Sequence, residues 1–280
     1  MPCIQSLLSE AKDRLATSSD SAVLDAEVLM CNVLGKPRSY LRAWPEKTLN
    51  ASDLDAYWQL VELRKQGQPI AYITGKKEFW SRDFVVTPDV LIPRPDTEIL
   101  IEIALTLIPE YQPVNIIDLG TGSGIIAITL AAERPLANII AIDQSDAALT
   151  CAQNNAIKHQ INNVRFINSN WFGNIPISRF DLIISNPPYI AEDDIHLQQG
   201  DLRFEPQSAL HAKDQGLSDI KIIISEARSY LKTDGYLLIE HGYNQEQQMQ
   251  KLFADANYQQ ITTYQDYANQ PRVTLGRWHG

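Results

Sequence analysis

Along the first 75 residues apolar positions recur at helical spacing. One run is Ile4, Leu7, Leu8, Ala11 and Leu15; a second is Val23, Leu24, Ala26, Val28, Leu29, Val33 and Leu34; a third is Leu54, Tyr57, Trp58, Leu60 and Val61. Gly35 and Pro37 stop the second run, and Ser52 or Asp53 is expected to cap the third. No strand-like alternation intervenes, so residues 1–75 are expected to form a small helical domain. Residues 76–97 change character: Phe79-Trp80 and Phe84-Val85-Val86 are short strand-like runs, followed by Pro88, Pro93 and Pro95. This pattern predicts a hairpin and a stiff connector, because proline fixes φ and restricts its predecessor. From Glu98 onward strands and helices alternate. Strands are expected at 115–119, 138–142, 164–168, 180–185, 236–240, 259–263 and 273–277, with helices at 125–132, 147–157, 218–231 and 245–256. Such alternation predicts a doubly wound, mostly parallel sheet over 98–280.

Composition narrows the class without changing this picture. Of 280 residues, 44% are hydrophobic and 21% charged, which excludes a disordered or collagen-like chain. No apolar run approaches the roughly 20 residues of a spanning helix, and the N-terminus shows no signal-peptide pattern. Three scattered cysteines, Cys3, Cys31 and Cys151, fit a reducing cytoplasm. The net charge is −10, and the first 75 residues, with eight basic and nine acidic side chains, contribute only −1 of it. A nonspecific nucleic-acid binder ordinarily carries the opposite sign.

Two loops carry the candidate chemistry. Ile116-Ile117-Asp118-Leu119 runs into Gly120-Thr121-Gly122-Ser123-Gly124 and then into an apolar helix. Glycines let the backbone turn sharply near a ligand, and the helix start supplies free N–H groups. A dinucleotide fingerprint would need glycine at Ile125, and no Lys-Ser/Thr pair follows as in a Walker loop. Asp143 ends the next strand, where a carboxylate can accept both hydroxyls of a ribose. The bland alternative is a tight turn with Asp143 capping the following helix. Together these residues point to a nucleoside cofactor without a pyrophosphate.

The fourth strand, 180–185, ends in Asn186-Pro187-Pro188-Tyr189. In a doubly wound sheet ligands bind at the carboxyl ends of strands, so this loop is expected to face the first. Two prolines remove backbone donors and leave carbonyl acceptors, Asn186 adds a side-chain oxygen, and Tyr189 offers a flat face with a polar tip. That set suits a planar NH2 group, its hydrogens held by the Asn186 oxygen and the Pro187 carbonyl. An amide or aromatic amine nitrogen is a poor nucleophile because its lone pair is delocalised. Two acceptors favour pyramidal geometry and aim the lone pair at an electrophile such as a sulfonium methyl, so catalysis rests on positioning and electrostatics.

Asp118 to Gly124 together with Asn186 to Tyr189 resemble a Rossmann-like, class I S-adenosylmethionine-dependent N-methyltransferase. Three further stretches narrow the likeness: Pro93-Arg94-Pro95-Asp96-Thr97-Glu98, Gly200-Asp201-Leu202-Arg203-Phe204-Glu205-Pro206 and Arg272-Val273-Thr274-Leu275-Gly276. With the helical N-terminal region, these five motifs in order resemble the release factor glutamine methyltransferase family over essentially the whole chain. The resemblance implies that Gly120, Thr121, Gly122, Ser123 and Gly124 cradle the methionine part of S-adenosyl-L-methionine and that Asp143 holds its ribose. It sets Trp171 beside the adenine and Asn186 at the cofactor too, while Asn186, Pro187, Pro188 and Tyr189 receive the substrate glutamine, with Asn186, Pro187 and Tyr189 as the catalytic residues. It implies release factors as partners; because every chemical motif lies after residue 90 the helical domain is expected to bind substrate, and the charge and the lack of a long apolar run lead us to expect no direct nucleic acid and no membrane. One departure stands out: the residue before the tryptophan is often Asp in the family and here is Asn170, an uncharged acceptor.

Close rivals are a glutamine methyltransferase of a ribosomal protein and a DNA adenine methyltransferase, which shares a similar tetrapeptide but is disfavoured by charge. A nucleotide-binding module without catalysis is a further one. The five histidines show no metal-ligand spacing, so no metal site is expected. His241 is read as a supporting residue, Arg203 and Glu205 as loop organisers or a surface pair, and Cys151 as core.

Overall fold

The computed structural model describes residues 2–175 and 179–280. The chain divides into two compact units, Met1–Lys76 with Gln198–Phe204, and Lys77–Leu197 with Glu205–Gly280.

The first unit is helical: α1 (Ile4–Leu15), α2 (Ala22–Leu34), α3 (Arg38–Ala43), α4 (Ala51–Lys65) and α5 (Ile70–Thr74). Its core gathers the periodic positions of the sequence, among them Ile4, Leu7, Leu15, Leu29, Tyr57 and Val61, all fully buried. Gly35 ends α2 in the left-handed region at φ 59°, as expected of a glycine cap. The cap of α4 is Asn50 rather than Ser52 or Asp53. Its side-chain oxygen accepts the Asp53 N–H at 2.8 Å, the reach from an N-cap to the third helical residue. Buried Asp25 takes the Ser19 and Ser21 hydroxyls and the Arg64 guanidinium at 2.6 Å, and Arg64 also reaches Asp201 at 3.3 Å. Thus a short piece from the middle of the expected catalytic region, 198–204, belongs to the helical unit.

The second unit holds a hairpin of β1 (Lys76–Phe79) and β2 (Arg82–Val85), then α6 (Thr97–Leu107), β3 (Asn115–Leu119), α7 (Ile125–Glu133), β4 (Asn138–Asp143), α8 (Asp146–Lys158), β5 (Val164–Asn168) and β6 (Phe180–Ser185). After a stretch of short helical turns and one parallel pair, Ile190–Ala191 with His211–Ala212, come α9 (Ser218–Ala227), β7 (Leu231–Glu240), α10 (Glu246–Asp255), β8 (Gln259–Gln265) and β9 (Pro271–Trp278). Seven strands form one sheet in the order β8-β9-β7-β6-β3-β4-β5. Pairs among β7, β6, β3, β4 and β5 are parallel, and β9 joins β7 and β8 antiparallel. Alternate residues serve opposite faces: Ile116, Leu182, Ile184 and Leu238 pack with α6 and α7, whereas Ile117, Ile183, Leu237 and Ile239 pack with α9 and α10. Both faces are apolar because both are covered, as doubly wound sheets require.

Two expectations shift. The periodicity reading omits helix α6, although Ile99, Leu100, Ile103 and Ala104 are buried and Glu102 and Thr106 are exposed four residues apart. Strand β7 starts at Leu231, not Tyr236, and α9 stops at Ala227, because the Phe180 N–H already binds the Tyr230 carbonyl and Phe180 pairs with Leu231.

Candidate active site

The strand order reverses between β3 and β6, so these neighbours send their following loops out of the same edge, where open α/β sheets bind ligands. Leu119 and Ser185 are register partners, and the Ser185 hydroxyl donates to the Leu119 carbonyl at 2.7 Å. The roots of the two loops are therefore tied directly together.

The first loop is held by its own sheet. Gly120 and Thr121 N–H donate to the Ile142 carbonyl at 3.0 and 2.8 Å, and Gly122 N–H donates to Asp143 Oδ2 at 2.9 Å. The other Asp143 oxygen accepts Ser145 N–H at 2.9 Å. The cap of α8 is Ser145, which frees Asp143 from that duty. Each Asp143 oxygen keeps a lone pair for a further donor. Burial raises the Asp143 carboxyl, and the N–H groups of Ser145 and Gly122 oppose that rise. Gly124 is required by space: at φ 84°, a Cβ there would lie 2.8 Å from Ile128 Cδ1 and 3.3 Å from the Ala152 backbone on α8. Beneath the loop, Asp118 is fully buried. Its Oδ2 accepts the Thr121 hydroxyl at 2.6 Å, its Oδ1 has no partner, and burial pushes its carboxyl up to about 7.

The second loop is held from elsewhere in the unit. Asn186 Nδ2 donates to Thr97 Oγ1 at the start of α6, 3.2 Å away, which leaves the carboxamide oxygen for a ligand. The Tyr189 hydroxyl donates to Glu240 Oε1 at 3.3 Å, and the Tyr189 carbonyl accepts from Gln245 Nε2 at 3.0 Å. Gly216, at φ 81°, lets that carbonyl come so close that a Cβ would lie 2.0 Å from its oxygen. Burial, first, and the Glu240 charge, second, raise the Tyr189 phenol well above its ordinary value.

A cavity of about 310 Å³ brings the loops together. Gly120, Thr121, Gly122, Ser123 and Asp143 line it from one side, Asn186 and Pro188 from another, with Trp171 and Asn170 also exposed to it. Gly124, Pro187 and Tyr189 are not on its wall; Gly124 packs α7 on α8, and Tyr189 turns its hydroxyl to Glu240. Trp171 sits in the left-handed region at φ 45°, with its indole N–H donating to Asp219 at 3.2 Å and its ring over Gly120. A non-glycine residue there stores strain that the surroundings must hold.

Four supports were given no role in the sequence reading: Asp118 and Thr97, which lie within quoted motifs, and Asp219 and Glu240, which do not. The signal for Asp118 and Glu240 was present, a carboxylate at the carboxyl end of an otherwise apolar strand. His241 is fully buried and satisfied, with Nδ1 at 2.9 Å from the Gly242 carbonyl and Nε2 at 2.9 Å from the Thr274 hydroxyl; burial drives its pKa down to about 4, so it stays neutral. Glu205 is an internal clamp: it pairs with Arg94 and accepts Ile92 N–H at 2.9 Å, pinning the proline-rich connector. Arg203 lies against Gly67 and Phe204, and Cys151 is buried in α8.

The family model described as the PrmC N-terminal domain matches residues 6–75, and a methyltransferase domain matches residues 112–274. Release factor glutamine methyltransferases of Shewanella oneidensis and Aliivibrio fischeri are 46% and 48% identical, over 99% and 98% of this chain and 97% of each relative. That of Escherichia coli is 46% identical over 98% of this chain and 99% of its own. The chain belongs to the release factor glutamine methyltransferase family. Among solved structures, a methyltransferase from Pyrococcus furiosus shares the fold at TM-score 0.54 and 17% identity, covering 80% of this chain and 98% of that one. A 16S rRNA N2 G1207 methyltransferase from T. thermophilus, solved with AdoMet and guanosine, does so at TM-score 0.52 and 16% identity, over 72% and 49%. The family's methyltransferase fold is thus the seven-stranded sheet described above, with both candidate loops on its ligand edge.

Proposed function

We infer that this chain transfers a methyl group from S-adenosyl-L-methionine to the side-chain amide nitrogen, N5, of the glutamine in the Gly-Gly-Gln loop of peptide chain release factors. The observation that carries this reading is a near-full-length match, at 46–48% identity, to enzymes of that name. The cavity residues fit the cofactor: Asp143 has acceptor capacity to spare, and the volume suits a small-molecule site.

When bound, the cofactor supplies a methyl group on a positively charged sulfur. Gly120, Thr121, Gly122, Ser123 and Gly124 shape the seat for its methionine part, Asp143 accepts from the ribose hydroxyls, and Trp171 flanks the adenine. The Asn186 oxygen and the Pro187 carbonyl accept the two hydrogens of the glutamine amide, while Pro188 and Tyr189 keep the loop stiff. Holding both hydrogens draws the nitrogen lone pair out of conjugation and fixes its direction. No proton acceptor of unusual basicity is required until the nitrogen has acquired its methyl.

Charge supports a protein acceptor over DNA. A net charge of −10 repels a phosphate backbone and draws in a basic protein surface. We assign the helical unit, 1–75 with 198–204, to gripping the release factor, and the rest of 98–280 to cofactor binding and catalysis, to which the connector 76–97 adds Thr97 beside Asn186. Among the described residues no helix is long and apolar enough to cross a membrane, and we place the reaction in the cytoplasm without a direct nucleic-acid or membrane partner. The test is label transfer from S-adenosyl-L-methionine to a purified release factor. Label should enter the wild-type factor, fall as salt rises, and vanish when the loop glutamine is replaced. Label in DNA, or label that survives loss of that glutamine, contradicts the assignment.

A further inference from the structure

The stretch Asn186–Tyr189 is anchored at its root, where the Ser185 hydroxyl holds the Leu119 carbonyl. Two of its four residues are prolines, whose φ is locked. Its remaining freedom lies at the exit, the peptide after Tyr189. There the carbonyl accepts from Gln245 Nε2 at 3.0 Å. Gln245 stands immediately ahead of α10 and is 5% exposed. The same Nε2 donates to the Gln215 carbonyl at 3.1 Å, and Oε1 accepts Gly242 N–H at 2.8 Å. Both hydrogens of this buried carboxamide are thus spent on carbonyls. The flipped amide would set its oxygen against two carbonyl oxygens and its NH2 against an N–H, so the partners leave one orientation.

The turn that supplies the Gln215 carbonyl is strained. Asp214, Gln215 and Gly216 lie consecutively in the left-handed region, at φ 56°, 56° and 81°. Two non-glycine residues there persist only where their surroundings hold them. Just ahead, His211 and Ala212 pair with Ile190 and Ala191, which follow Tyr189 directly. Just behind, Leu217 N–H donates to the Lys213 and Asp214 carbonyls at 3.1 Å each. Gln245 closes the remaining side, and Gly216 leaves the space that the Tyr189 carbonyl fills.

We propose that Gln245 is a positioning residue for methyl transfer: it clamps the exit of the Asn-Pro-Pro-Tyr loop onto the strained turn and so aims the Pro187 carbonyl and the Asn186 oxygen at the acceptor amide. A four-residue loop fixed at both ends, with two φ angles locked, has little room to turn its carbonyls. Once the exit is freed, the Pro187 carbonyl swings away, and the amide NH2 is held by one acceptor instead of two. Its lone pair then stays in conjugation and the barrier rises. The cofactor wall does not depend on this clamp. Asp219, which lines the cavity and receives the Trp171 indole N–H, sits on α9, and α9 is seated by buried Ile220, Ile223 and Ile224.

The inference rests on the glutamine-methyltransferase reading, and label transfer by the wild-type chain tests that reading separately. Gln245→Met keeps the length of the side chain and removes all three hydrogen bonds. Gln245→Asn keeps the amide but is one methylene too short to span its partners. Each should lower kcat on the release factor by roughly ten- to a hundredfold, the scale of a slightly misplaced reacting group. The affinity for S-adenosyl-L-methionine, measured by calorimetry, should stay within about threefold of wild type, a split that general loosening of the fold would not give. The control is Ile139→Ala, which empties a buried position at the amino end of β4, the sheet edge opposite the loops. It should lose stability in urea and keep its turnover. One further measurement needs no substrate. By NMR the Gln245 side-chain NH2 protons should exchange slowly in wild type and Ile139→Ala, and at least tenfold faster in Gly216→Ala, whose Cβ would stand 3.0 Å from Nε2 and 2.0 Å from the Tyr189 oxygen. Wild-type turnover in either Gln245 variant, an equal loss of turnover in Ile139→Ala, a loss confined to cofactor affinity, or fast NH2 exchange in wild type would overturn the proposal. The wild-type exchange rate and the asparagine variant decide the matter even if Gln245→Met does not fold.

Discussion

The loops after β3 and β6 leave neighbouring strands, yet they are secured by opposite means. The first is bound by backbone N–H groups to Ile142 and Asp143 on the adjacent strand, so its conformation follows from its own glycines and the sheet edge. The second owes its shape to side chains from distant segments, Thr97, Glu240, Gln245 and the gap at Gly216. The first is suited to receive the same cofactor in every cycle. The second must hold an acceptor amide in one orientation, and a rigid outside frame supplies that.

If the division of labour is correct, damage to the second loop appears in turnover and damage to the first in cofactor affinity. The largest effect is expected for Asn186→Ala, which should lower single-turnover rate by roughly 10² to 10³ while calorimetric cofactor affinity holds. Next, Gly216→Ala forces a side chain into left-handed backbone at φ 81° and against the Tyr189 carbonyl. It should lose on the order of 1–3 kcal/mol of stability in urea unfolding, with turnover falling more than cofactor affinity. Asp143→Ala should weaken cofactor binding by about 1–3 kcal/mol, as stranded hydrogen-bonding groups do.

The same contrast explains what was legible in the sequence. The glycine run and Asp143 lie within one strand–helix–strand stretch, and fixed spacing announces them. The Asn-Pro-Pro-Tyr motif is equally plain, but its supports are not: Thr97 is 89 residues from Asn186 and Glu240 is 51 from Tyr189. Only the folded sheet brings them together. Helix α6, which carries Thr97, follows directly on the proline-rich connector and was passed over, and the Asn50 cap was hidden by a competing Ser-Asp pair just downstream. The attachment of 198–204 to the helical unit depends on Arg64, Asp201 and the close approach at Gly67, none of which a local pattern marks.

A further contrast is the pH response of the acids behind the two loops. Burial lifts Asp118 from 3.8, and Glu240 from 4.5, to about 7 each. Each contributes stability fully below its ordinary pKa, where it is protonated in both states, and that contribution is lost as pH rises through about 7. Stability should therefore fall between about pH 4 and 7 and level off above that, at no more than about 1.4 kcal/mol per pH unit for each group. Urea unfolding across that range should show a shallower slope in Asp118→Asn and in Glu240→Gln. An unchanged slope in either removes that acid from the pair.

The division of labour is tested most directly by single-turnover methylation of a release factor by Asp143→Ala and Asn186→Ala, side by side, as S-adenosyl-L-methionine is raised to saturation. Asp143→Ala should approach the wild-type rate once the cofactor saturates, and Asn186→Ala should stay slow at every concentration. A persistent defect in Asp143→Ala at saturation, or recovery of Asn186→Ala with added cofactor, would contradict the account.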